Sequence, residues 1–213
     1  DGFEGEIKVQ ASGLPPGFTV TTPLVIQAGH SEAKGAIHAA PDAASPPEEA
    51  WTKVEVTASA RVDGRPVVMA VNNFGKIKLG EKPKLFVSFE PMPDREGATT
   101  ASNEQGSRPL EITIAPGQTV PAILRIQRNG HEDLATFTVE NLPHGVIVDN
   151  IGLNGVLIPK GENEREIVLT AARWVPETDR LCYAVENQAG RQTSLPVLLH
   201  IRKPGSQLAV SGK

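Results

Sequence analysis

The side chains of this sequence that could do chemistry are few and scattered. Five histidines, His30, His38, His131, His144 and His200, include no two at metal-ligand spacing, and there is one cysteine, Cys182. Gly29-His30-Ser31-Glu32-Ala33 has the outline of a nucleophile elbow, which needs a strand feeding a helix to hold its serine on a strained turn. Here an alternating, strand-like stretch follows, and the matching residues later in the chain, Gly161-Glu162-Asn163-Glu164-Arg165, include no serine. Turn chemistry accounts for both. His131-Glu132-Asp133 sets three potential metal ligands in a row, but neighbours on a strand point to opposite faces, so they cannot converge without a bulge. Asp149 and Asn154 could offer oxygens to calcium. Their spacing matches no calcium loop, and Asp-Asn and Asn-Gly pairs are ordinary turn formers. The expectation is a chain with no metal, no cofactor and no catalytic group, and so not an enzyme.

Cys182 lies in the alternating run from Arg180 to Val185 and reads as a small buried apolar side chain. A single cysteine excludes an internal disulfide. For binding, the candidates are Trp51, Trp174 and Arg173. Sugar-binding sandwiches stack pyranose faces on exposed aromatic rings, and these are the only two tryptophans in a chain with 4% aromatic residues. The competing reading makes each a loop residue covering the edge of a core. Arg173-Trp174-Val175-Pro176 is the first choice for a protein-facing patch, because loops at the ends of β-sandwiches carry contacts.

Such residues would be positioned by strands. The stretch Leu14-Pro15-Pro16-Gly17, then Leu24-Val25-Ile26-Gln27-Ala28-Gly29, then Lys34 to Ala40 returns as Leu142-Pro143-His144-Gly145, Val156 to Gly161, and Arg165 to Ala172. Gly29 and Gly161, like Ala40 and Ala172, stand 132 positions apart. Apolar residues alternate before each corner, at Ile7, Val9 and Ala11 and at Ala135, Phe137 and Val139, which marks half-buried strands. Proline and glycine then forbid a helix and force a turn. Asp63-Gly64 predicts a hairpin, and so does Asn129-Gly130. No long stretch shows a 3.6-residue apolar period, so helix should be minor.

A length of 213 residues fits two domains of about 100. The fold class expected is all-β, as two tandem sandwiches: residues 1–81, a linker at 82–108 with one extended segment, residues 109–203, and a flexible tail at 204–213. Nothing before Asp1 corresponds to Leu110 to Arg128, so the first unit should lack its N-terminal strands. That gap would be filled by Lys84 to Glu90, by strand exchange with a neighbouring chain, or by residues outside this sequence. The segment from Pro91 to Arg108 is polar enough to read as a mobile linker or long loop. A net charge of −4 argues against nucleic acid and acidic membrane surfaces as partners, since both need a basic patch. No apolar run reaches the roughly 18 residues of a membrane span. The chain opens on Asp1 in place of Met and reads as a processed or excised piece.

GFEGEIKVQASGLPPGFTV, PLVIQAG and TKVEVTASA, with HEDLATFTVENLPHGVIVDN and GVLIPKG in the second half, resemble the bacterial immunoglobulin-like repeats appended to large secreted and cell-envelope proteins. The resemblance spans residues 2–71 and 110–202. It implies immunoglobulin-like sandwiches, a secreted or cell-envelope location, and a spacer or protein-interaction role. Partners would then be other domains of the parent protein or a surface protein. The disulfide and strand-C tryptophan of antibody domains are missing, so antibody-like recognition is not implied. The alternative is a carbohydrate- or ligand-binding accessory domain of an extracellular enzyme.

Overall fold

The computed structural model describes residues 2–93, 109–149, 151–152, 155–188 and 190–205. Among these, the chain is almost entirely β. In the first unit, β1 (Ile7–Ser12), β3 (Leu24–Ile26), β5 (Glu55–Val62) and β6 (Arg65–Val71) form an antiparallel sheet in the order β3-β1-β5-β6. Facing it is a two-stranded sheet of β2 (Phe18–Val20) and β4 (Ile37–Ala39). Between β4 and β5 runs the short helix α1 (Glu48–Thr52), whose first turn carries Glu48 and Glu49, the favourable charge for a helix N-terminus.

Among the described residues the second unit holds nine strands: β7 (Leu85–Pro91), β8 (Glu111–Ile114), β9 (Thr119–Arg128), β10 (Ala135–Glu140), β11 (Val146–Val148), β12 (Val156–Ile158), β13 (Glu164–Ala171), β14 (Thr178–Glu186) and β15 (Val197–Ile201). One sheet runs β12-β10-β14-β15-β8 and the other β11-β13-β9-β7. Leu85, Leu124, Ile167 and Leu169 from the second sheet share one core with Phe137, Ile158, Cys182 and Leu199 from the first, which makes a β-sandwich.

The repeated corner folds alike in both places. Phe18 N donates to Pro15 O at 3.1 Å and Val146 N to Pro143 O at 2.9 Å, with Gly17 and Gly145 at φ of 80° and 89°. Downstream, Ala40 N reaches Gly17 O and Ala172 N reaches Gly145 O, at 2.7 and 2.8 Å. The registers follow suit. Val9 pairs with Leu24 and Ala58, as Phe137 pairs with Val156 and Glu186; Phe18 faces Ala39, as Val146 faces Ala171.

Three expectations change. Lys84 to Glu90 does not fill the first unit. As β7 it pairs with β9 from Leu85↔Arg128 to Pro91↔Ala122 and buries Leu85 and Phe89 in the second core. The second unit therefore starts before residue 109. The connection between the units is 72–84, and 92–110 joins two strands of the same sandwich. The linker expected over Pro91 to Arg108 lies, from 94 onward, outside the described residues, as does most of the expected tail.

Asn129-Gly130 is a bend but not a hairpin. β9 belongs to one sheet and β10 to the other, so residues 129–134 cross between layers. Arg128 clamps this crossing by donating to the carbonyls of His131, Asp133, Pro159 and Glu162 at 2.7–2.9 Å. Asp63-Gly64 does make the expected two-residue hairpin, closed by Val62↔Arg65 with both turn residues at positive φ.

Candidate functional site

Two of the three residues singled out for binding sit in the second unit's end loop, and one of them lies where the units meet. Trp174 follows β13 and rests on Gly145 so closely that a Cβ there would come within 2.5 Å of Trp174 Cη2. The corner glycine is thus also a seat for the indole. His144, beside it, tilts against Trp174 at 5.1 Å between ring centroids, and His30 of the first unit tilts against His144 at 5.2 Å. The three rings form a continuous row across the seam, while Trp174 stays 61% exposed. Arg173 turns the other way and lays its Cγ over the Pro116-Gly117 turn.

Polar contacts flank the row. Gln27 Oε1 accepts the His144 backbone N–H at 2.9 Å, and Lys34 Nζ lies 3.1 Å from both Glu140 carboxylate oxygens. Arg180 Nη2 donates to Glu6 Oε2 at 3.0 Å, with the Arg180 side chain buried. The turn that presents Gln27 and His30 is itself tied down, since Gly29 N donates to Glu4 O and His30 N to Gln27 O, both at 2.9 Å. Each ion pair adds at most about 1 kcal/mol where solvent reaches it. Their common effect is to fix one orientation.

Trp51 is not a binding platform. It is 1% exposed, meets Phe18 edge-on at 5.1 Å, and is carried into the core by α1. Among the described residues its Nε1 has no hydrogen-bond partner. Asp149 accepts from Thr170 Oγ1 at 2.9 Å and its backbone N–H donates to Val168 O; Asn154 lies outside the described residues. Among the described residues no group of three or more His, Cys, Asp or Glu is placed to hold a metal ion.

One cluster could not be read from spacing. Asp179 and His200 are cross-strand partners on β14 and β15, with Nδ1 and Oδ1 2.6 Å apart, and Arg202 Nη2 binds the same oxygen. His200 Nε2 stands 3.4 Å from Glu111 Oε2 on β8, without hydrogen-bond geometry. Burial by itself would raise the Asp179 carboxyl pKa, but His200 and Arg202 outweigh it and hold the group below its usual range. The cluster ties together three adjacent strands.

Two titratable groups report on the two units separately. Burial pushes the Cys182 thiol up to about 12, so a thiol reagent at pH 8 should label it only when the second unit unfolds. Fast labelling of the native chain would contradict that burial. Burial lowers the His38 pKa from 6.5. Its neutral form is favoured when folded, so the associated stability is present above 6.5 and is lost as pH falls through the lower folded value. The urea midpoint of the first unit should fall between pH 7.5 and 5.5, and His38→Gln should flatten that dependence.

No protein-family model matches the chain. No curated protein matches it either. A solved structure of a protein of unknown function from Porphyromonas gingivalis W83 is similar over 93% of this chain and 86% of its own, at 11% identity and a TM-score of 0.31. A likeness that shallow transfers nothing to this chain.

Proposed function

We propose that the chain is a non-catalytic module of two immunoglobulin-like sandwiches in tandem, which spaces or docks parts of a larger secreted or cell-surface bacterial protein. The observation that carries this reading is the seam, where Glu6, Gln27, His30 and Lys34 of one unit meet Arg180, His144 and Glu140 of the other. A spacer must hold its length, and a seam with several directional contacts resists bending. The matched corners and registers support descent of both units from one pattern, and the two-sheet layout of the second supports the immunoglobulin-like class.

The test is the distribution of distances between spin labels placed one on each unit. The parent chain should give one narrow peak. Lys34→Glu combined with Arg180→Ala should broaden it while both units still melt cooperatively. A broad distribution in the parent would end the spacer reading. The exposed indole of Trp174 favours a second reading, an accessory domain that binds carbohydrate or another ligand. Glycan-array signal lost in Trp174→Ala would select it, and a blank array would remove it.

A further inference from the structure

Among the described residues, the smaller layer of the first unit holds two strands, β2 and β4, where the matching layer of the second unit holds four. Directly opposed residues of an antiparallel sheet share a face, so Leu24, Val9, Ala58 and Met69 form one apolar row across β3, β1, β5 and β6. The first core takes in the Val9 and Val56 side of this face, with Phe74 and Ile77 of the connecting segment packed against it, and does not include the β6 side chains. Val67, Met69 and Val71, on the same face of β6, remain 38, 63 and 45% exposed. In the second unit the facing layer continues past β13 with β9, paired from Glu164↔Arg125 to Thr170↔Thr119, and then with β7. The first unit's counterpart of β13 is β4, which among the described residues pairs only with β2.

We propose that this half-open face accepts an extended peptide segment of the β9 kind, donated by a partner polypeptide. The segment adds antiparallel to the free edge of β4, as β9 adds to β13, and lays its alternate aliphatic side chains over Met69 and Val71. Main-chain hydrogen bonds supply affinity in this mode and the apolar alternation supplies selectivity. A second copy of this chain does not fit the role. Its β9 lies between β13 and β7 with Leu124 fully buried, so lending it would dismantle the second unit. Two copies joined edge to edge through β6 would extend the sheet yet leave Val67, Met69 and Val71 uncovered. The inference rests on the correspondence between the units, and its failure would leave the label-distance test of the spacer reading untouched.

The probe is a labelled synthetic peptide of Gln118 to Arg128, titrated against the full chain. Saturable binding is expected, weaker by about tenfold in Met69→Lys and in Val71→Lys, whose exposed positions tolerate lysine without unfolding. Because a free peptide must order itself on binding, a second chain carries a copy of residues 109–128 fused ahead of Asp1. In that chain Met69 should resist peroxide oxidation and the Ile37 and Ala39 amides should gain exchange protection. Binding that ignores both lysine variants, concentration-dependent dimerisation that shields β6 in place of peptide uptake, or a fused chain with Met69 still freely oxidised would each overturn the proposal.

Discussion

Trp51→Ala should unfold the first unit and leave the second standing. The first core is small, with Phe18, Trp51, Val54 and Val56 as its buried members, and Trp51 is the largest of them. Truncating a buried aromatic costs about 3–5 kcal/mol, a large share of what a sandwich with an open face can hold. Differential scanning calorimetry should lose the first unit's transition, while Cys182 stays unreactive because its own core is intact. Trp51→Phe is the control. It leaves a smaller cavity and also removes the buried Nε1–H that has no partner among the described residues, a group whose desolvation costs about 1–3 kcal/mol. Its net penalty should therefore be well under half that of alanine. Equal losses for the two variants would mean that the volume of the indole is not what supports this core.

Phe137→Ala should do the converse. Phe137 is fully buried on β10, between Val156 of β12 and Glu186 of β14, in the middle of the larger core. The expected cost is again about 3–5 kcal/mol. Here the fall should appear in the second transition and as faster labelling of Cys182 near the new midpoint, since the thiol lies in the same cluster. A variant with unchanged thiol kinetics and unchanged melting would show that the second unit does not depend on this ring.

Much of the fold was legible where local chemistry decides it. The corners at Leu14-Pro15-Pro16-Gly17 and Leu142-Pro143-His144-Gly145 turn because proline and glycine restrict the backbone whatever lies nearby, and Asp63-Gly64 closes its hairpin for the same reason. What escaped was the choice of partner. Alternation in Lys84 to Glu90 says strand, yet nothing local says which sheet receives it, and β9 in the second unit does. Asn129-Gly130 has hairpin chemistry, but the strands it joins bury their apolar faces from opposite sides of one core. Trp51 could not be placed because a five-residue helix leaves no periodic trace. At the seam, His30, His144 and Trp174 are ordinary loop residues until two distant turns are brought together, as the contact from Gln27 to His144, 117 positions apart, illustrates.

The placement of β7 has a consequence for covalent continuity. Everything before Pro91 is fastened to the second unit by a full strand ladder, and β8 enters the opposite sheet on the far side of 92–110. An engineered protease site within that interval would, once cut, give two fragments on a denaturing gel that still travel as a single particle under native conditions.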